Sequence, residues 1–152
     1  GSRTRRPPTD AINCLLSFCY SLLTKEVLGA CLVVGLDPYV GLFHRSRFGR
    51  PALALDLAEE FRPLLADSVV LTLVNKRVLA PSDFVVRAGA VTLTAEGRKA
   101  VIKAWEQRMS AELRHPLFDY AVSNRRAIEL QARVLAAYLI GELPRYDPLV
   151  TR

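Results

Sequence analysis

Three cysteines and two histidines are all the sequence offers toward a zinc module, and their spacing is wrong for one. Cys14, Cys19 and Cys31 form no C-x-x-C pair, and no Cys/His cluster has zinc-ligand spacing. All three thiols lie in apolar, helix-like stretches, which reads as buried, reduced cysteine in a cytoplasmic protein. There is no G-x-x-x-x-G-K-[ST] loop, no G-x-G-x-x-G turn and no G-x-S-x-G elbow. Those absences leave no sign of a P-loop nucleotidase, a dinucleotide-binding unit or a serine hydrolase. The longest uncharged run, Ala11 to Thr24, contains Asn13 and several Ser/Thr residues. It is too short to span a bilayer, no signal peptide is visible, and no membrane role is expected. Internal repeats and low-complexity segments are also absent.

What remains is an ordinary globular composition. With 152 residues, 51% hydrophobic and 24% charged, the chain can bury the core of one domain, and disorder is not expected. Lys and Arg number 21 against 15 Asp and Glu, a formal charge of +6. That surplus tilts expectation toward a polyanionic partner, although proteins that bind no nucleic acid often carry as much. Gly1-Ser2 reads as the scar of a removed tag, leaving residues 3–152 as the domain.

The order of elements is helical. Arg3-Thr4-Arg5-Arg6-Pro7-Pro8 is basic and extended, and Thr9 or Asp10 can cap the helix that follows. Ile12, Leu15, Leu16, Cys19, Leu22 and Leu23 form an apolar stripe, and Asn13, Ser17, Tyr20 and Thr24 form a polar one. Helical pattern resumes from Glu26 to Val34 and stops at Gly35. Asp37-Pro38 starts a short helix that ends at His44, and the loop after it carries Arg45, Arg47 and Arg50. Pro51 opens a helix over 52–61, and Pro63 kinks it or begins another. The β-branched run Ser68 to Val74 is assigned to helix because no partner strand lies near. Phe84 to Val86 and Val91 to Leu93 flank Ala88-Gly89 as a β-hairpin. Thr94 caps a helix holding Trp105 and Met109, with His115 at a helix end. Ser123 caps the last helix, whose buried stripe is Ile128, Ala132, Leu135, Ala136 and Leu139. The expected architecture is an all-α helical bundle with one small β-hairpin.

One constellation carries chemistry. On a helix, Asp56, Glu59 and Glu60 stand at i, i+3 and i+4, so at least two carboxylates share a face. His44 precedes them across the basic loop. A His-plus-carboxylate set with no thiolate suits Mg²⁺ or Mn²⁺ better than structural zinc. Arg45, Arg47, Arg50 and Arg62 flank the position, and a guanidinium fork suits phosphate. Arg3, Arg5 and Arg6 form a basic arm that can track a DNA backbone. By itself the spacing is a weak signal. Acids near a helix N-terminus oppose the macrodipole, and most D-x-x-E pairs do no more. Arg62 can equally be paired with Glu59 or Glu60.

Longer motifs sharpen this. Arg3 to Tyr20, read as R-x-R-x-P-P-x-D-x-x-N-x-L-L-S-F-x-Y, resembles the start of the helical domain of the universal CRISPR spacer-acquisition endonuclease/integrase family. Gly35 to His44 resembles that family's G-L-D-P-x-x-G-x-x-H motif, and Arg50 to Pro63 its R-P-S-L-A-L-D-L-x-E-x-F-R-P motif. Gln131-Ala132-Arg133 through Gly141 to Tyr146 is similar to its Q-A-R…G…Y pattern.

The resemblance implies a metal-dependent DNA endonuclease and integrase that joins prespacer 3′-hydroxyls to the CRISPR repeat by transesterification, with Mg²⁺ or Mn²⁺ held by Glu, His and Asp. The histidine maps onto His44 and the aspartate onto Asp56, the expected metal ligands. Glu59 stands where the family often has a second Asp. Tyr20 and Asn13 match positions facing the site, so Tyr20 joins His44, Asp56 and Glu59 as a catalytic candidate. The family's glutamate ligand and a β-rich dimerisation domain precede the Arg3 segment. The fragment is therefore expected to bind metal weakly and to be inactive alone. The implied partners are DNA (prespacer and repeat), a second copy in the parent protein, a small ferredoxin-like adaptation partner, and a fused reverse transcriptase or nuclease. A non-catalytic helical DNA-binding or scaffold domain is the alternative.

Overall fold

The computed structural model describes residues 9–37 and 52–149. Its first element, α1 (Thr9–Val33), is one unbroken helix where the sequence suggests two stretches. It extends through Lys25-Glu26 into a second apolar run and, by length and composition alone, could cross a membrane. In this fold it is the helix around which the others assemble. Its buried residues are Ala11, Leu15, Cys19, Leu23, Val27 and Cys31, each four apart. Four residues turn a helix by about 400°, so this line drifts roughly 40° per step and winds around the axis. Different stretches of α1 therefore meet α2 (Ala52–Phe61), α3 (Ser68–Asn75), α5 (Asn124–Leu139) and the strand β2 (Ala90–Leu93). Ile12, Leu16 and Leu22, expected in the stripe, are only half-buried because the line has turned away from them.

The helix ends as its glycine predicts. Gly35 has φ +81° and donates to Leu32 O at 3.2 Å, while Leu36 N reaches Cys31 O at 2.9 Å. This is the paired closure that favours glycine. From Pro38 to Pro51 the chain lies outside the described residues, and with it the expected short helix ending at His44.

The segments α2 and α3 run into each other through a π-helical turn, Arg62–Asp67. Pro63 cannot donate to the Glu59 carbonyl, and the wider turn lets the helix pass its ring. Ser68 N then bonds to Leu65 O, and the carbonyl of Leu64 is taken by Arg108, Nε at 3.2 Å and Nη2 at 2.9 Å. The β-branched run after the turn is helical, as expected.

Strands β1 (Phe84–Arg87) and β2 pair antiparallel across Ala88 and Gly89, both at positive φ, which is the mirror-image turn suited to a two-residue hairpin. Thr94 accepts from Gly97 N at 3.1 Å and caps α4 (Ala95–Ser110). Gly97 sits against the hairpin so closely that a Cβ there would lie 2.7 Å from Asp83 O. Ser123 caps α5, accepting from Arg126 N at 3.0 Å. Arg125 beside it bridges Glu26 of α1 at 2.8 Å and Glu106 of α4 at 3.0 Å.

A second strand pair, β3 (Glu112–Arg114) with β4 (Ala121–Ser123), was not expected. Its six-residue connection has no two-residue turn signal. His115 consequently lies in this loop rather than at a helix end. The stripe of α5 is also displaced. Ile128, Ala132 and Leu135 are buried, but Ala136 is half-buried and Leu139 is 44% exposed, while Ala127, Leu130, Gln131 and Val134 go inside. The fold class stands: a mostly helical bundle, with two small antiparallel pairs among the described residues where the sequence suggests one. Cys19 and Cys31 are buried and Cys14 half-buried, all as free thiols. Desolvation pushes Cys19 up to about 12 and Cys31 to about 11, which keeps both protonated.

Candidate active site

Successive residues on α2 point about 100° apart, so Glu59 and Glu60 cannot face the same surroundings. Glu59 faces out, its side chain 60% exposed, and its Oε1 accepts from the Tyr20 hydroxyl of α1 at 2.9 Å. Arg62 lies one turn on, with its guanidinium carbon 5.1 Å from the Tyr20 ring centroid and Nη1 3.9 Å from Glu59. The same guanidinium is 3.9 Å from Asp67. Of the two expected partners for Arg62, then, Glu59 is the one the fold supplies. Burial, followed by the bond to Glu59, pushes the Tyr20 phenol up to about 12, and Arg62 only partly opposes this. Tyr20 therefore remains a hydrogen-bond donor throughout the neutral range. Asp56, half-buried, stands one turn before Glu59 on that side of the helix.

The polar stripe of α1 divides among three uses. Tyr20 bonds to Glu59. Thr24 turns back to the Tyr20 carbonyl at 2.9 Å. Asn13 and Ser17, with Asp10, Thr92 of the hairpin and Arg98, line an open groove of about 580 Å³.

Glu60 faces the opposite way, into a polar chain that sequence reasoning missed. Its Oε1 accepts a short hydrogen bond from the Tyr146 hydroxyl, and Oε2 a long one from Leu149 N at 3.5 Å. Gln131 Nε2 donates to Tyr146 Oη at 2.9 Å and to Asp147 O at 2.8 Å. Gln131 Oε1 lies 3.2 Å from His115 Nε2, and His115 Nδ1 accepts from Leu117 N at 3.1 Å. Because Nδ1 is the acceptor, the proton of the neutral ring sits on Nε2 and is donated to Gln131. Burial pushes Glu60 up to about 7 despite the Tyr146 and Leu149 bonds, and burial pulls His115 below its ordinary value. The available signal was the Q-A-R…Y pattern itself, with Gln131 set among the apolar positions of a helix. It gave no hint of a partner on α2.

The exposed side of α2 thus gathers oxygen donors with a phenol and a guanidinium beside them. Two carboxylates one turn apart fit a hard divalent cation, while Tyr20 and Arg62 fit a phosphate oxygen. Among the described residues, no three of His, Cys, Asp and Glu cluster as a complete metal site. His44, Arg45, Arg47, Arg50, Arg3, Arg5 and Arg6 lie outside the described residues.

Comparison with known proteins identifies the family. The family model for CRISPR associated protein Cas1 matches residues 1–107. The chain is 53% identical over 151 residues to a CRISPR-associated exonuclease Cas4/endonuclease Cas1 fusion of Geobacter sulfurreducens, covering 99% of this chain and 27% of that protein. It is 50% identical over 152 residues to a CRISPR-associated endonuclease Cas1 of Thermus thermophilus, covering 100% of this chain and 46% of the relative. Among solved structures, a Cas1 protein from Thermotoga maritima superposes with a TM-score of 0.78 at 37% identity, covering 93% of this chain and 44% of its own. A casposase bound to integration product gives 0.82 at 28% identity, covering 90% and 39%. The chain spans between about a quarter and a half of the length of these two curated relatives. A match across more than two thirds of its residues, with both α1 and the acidic face of α2 inside the matched region, makes this chain a member of the Cas1 family.

Proposed function

We propose that the chain forms the helical catalytic part of a CRISPR-adaptation endonuclease and integrase, which joins the 3′-hydroxyls of prespacer DNA to the CRISPR repeat. The observation that carries this reading is the exposed Tyr20–Glu59–Arg62 contact on the acidic face of α2. The names of the Cas1 endonucleases and of the casposase bound to integration product support it. His44 and Asp56, with the family's glutamate, would hold Mg²⁺ or Mn²⁺, since imidazole and carboxylate oxygens suit those ions, and Glu59 would add a further carboxylate on the side that Tyr20 faces. When bound, the ion supplies Lewis acidity at a phosphoryl oxygen.

The chain's own groups then bind and orient. Tyr20, held protonated, keeps Glu59 in one rotamer and can turn its hydroxyl toward a phosphate oxygen. Arg62 offers a guanidinium fork beside it. Arg3, Arg5, Arg6, Arg45, Arg47 and Arg50 would follow the DNA backbone, giving binding that weakens with salt. Transfer would proceed by direct attack of a DNA 3′-hydroxyl on a phosphodiester of the repeat. The new P–O bond forms as the bond from phosphorus to the displaced strand's 3′-oxygen breaks, and that oxygen leaves with a proton as a 3′-hydroxyl. Positioning and charge therefore do most of the work. The complete protein would act as a cytoplasmic dimer with a small ferredoxin-like partner. The Geobacter relative supports a fused nuclease as a further neighbour, and a fused reverse transcriptase is the other expectation. These 152 residues alone would bind metal weakly and transfer little.

The test is Mn²⁺-dependent strand transfer on branched DNA by the complete polypeptide with its partner supplied. His44→Ala and Asp56→Ala should abolish transfer while leaving the fold intact. Wild-type rates in both would sink the assignment. Salt-sensitive DNA binding with no transfer and no metal requirement in the wild type would favour a non-catalytic scaffold.

A further inference from the structure

The C-terminal tail over 144–149 has no regular structure, yet it is fastened to the helices at one place. Among the described residues, the hydrogen bonds joining it to helices run through Gln131 of α5 and Glu60 of α2. Leu149, 7% exposed, packs beside the contact as part of the hydrophobic core. Gln131 and His115 are both 1% exposed, so that end of the polar chain sits inside the domain, while Glu60 and Tyr146 are half-buried.

Glu60 follows Glu59 directly, and the last turn of α2 is consequently held by two tyrosines on different sides. Tyr20 takes the outward carboxylate and Tyr146 the inward one. Immediately beyond lies the π-turn, so the buried Leu57, Ala58 and Phe61 hold the core side of α2 and these two tyrosine bonds hold its polar sides. A side-chain tip stands about 5–6 Å from the helix axis, so a roll of about 10° moves a carboxylate by about 1 Å. Misplacement on that scale is enough to impair a site that works by positioning.

We infer that Tyr146 and Gln131 are positioning residues: by clamping Glu60, the C-terminal tail sets the rotation of α2 and hence the placement of Asp56 and Glu59. The inference rests on the reading that those two carboxylates help hold the divalent ion. Neither Tyr146 nor Gln131 touches the reacting groups in this account.

The test uses the complete polypeptide and Mn²⁺ alone as probe. Tyr146→Phe keeps the ring and removes the clamp, and Gln131→Leu cuts the next bond. Each should weaken Mn²⁺ binding about tenfold or more, the scale seen when groups behind metal ligands are removed. Each should also speed metal-free amide exchange over residues 52–62. Val101→Ala, a core change on α4, serves as the control for general destabilisation and should leave Mn²⁺ affinity unchanged. Wild-type affinity in Tyr146→Phe, or an equal loss in Val101→Ala, would overturn the inference and leave the metal reading standing. Unchanged affinity in Asp56→Asn and Glu59→Gln would instead overturn the metal reading, and the positioning role with it.

Discussion

Two adjacent glutamates on one helix, each bonded to a tyrosine, end in opposite situations. Glu59 is mostly exposed, and Tyr20, Arg62 and solvent share its carboxylate. Glu60 is half-buried, its oxygens taken by Tyr146 and Leu149, and burial raises it to about 7. The difference arises from about 100° of helical rotation. It teaches that an acidic run such as Asp56…Glu59-Glu60 is not one site. The outward member meets Tyr20 and Arg62 at the surface, while the inward member joins distant parts of the chain.

The largest effect that can break this comparison is on transfer. His44→Ala and Asp56→Ala are expected to lower Mn²⁺-dependent strand transfer by about 10³-fold or more, with an unchanged far-ultraviolet dichroism spectrum. A change on the inward side should act on stability first. Glu60→Ala leaves the Tyr146 hydroxyl without its acceptor and should cost about 1–3 kcal/mol in chemical denaturation. A cost near zero would mean that the buried chain contributes little. Tyr20→Phe removes one bond to an exposed carboxylate, so its stability cost should stay below about 1 kcal/mol. Its transfer rate should still fall by about tenfold, the smaller end of what one oriented donor contributes. Equal rates for Tyr20→Phe and wild type would remove Tyr20 from the site.

The smallest expected effect is on pH dependence. His115 is held neutral in the fold, its ring pulled below the ordinary 6.5. A depressed folded value means that the unfolded chain takes up the proton first. The stabilisation is thus present above about 6.5 and is lost as pH falls through the folded value. Glu60, raised to about 7, gains stability over the same range as pH falls, so His115 is read by difference: below pH 6.5 the wild-type denaturation midpoint should decline relative to that of His115→Gln. An identical decline in the variant would show that other groups cause it.

Much of this fold is legible in the sequence where the signals are local. The helix over 52–61, the caps at Thr94 and Ser123, the Ala88-Gly89 turn and the stop at Gly35 depend on residues a few positions apart. Ser68 to Val74 was readable as helix despite its β-branched residues, because it continues the segment before it. The pair β3–β4 was not legible, since its connection lacks a turn signature. Nor was the winding core line of α1, which depends on partners arriving from several directions. The spacing of Asp56, Glu59 and Glu60 revealed a shared face. Which acid looks outward was decided by Tyr20, 39 positions from Glu59, and Tyr146, 86 positions from Glu60. No local pattern carries such distances. The roles of Gln131 and Tyr146 were hidden for the same reason.

One paired measurement tests the central claim most directly: strand transfer and thermal stability of Glu59→Gln and Glu60→Gln in the complete polypeptide, with Mn²⁺ and partner present. Glu59→Gln should lose transfer by about 10²-fold or more at wild-type stability, because it removes charge from the outward face alone. Glu60→Gln should retain most transfer, since the amide oxygen still accepts from Tyr146. The reverse order, with Glu59→Gln active and Glu60→Gln dead at unchanged stability, would contradict the account and place the chemistry on the inward side of α2.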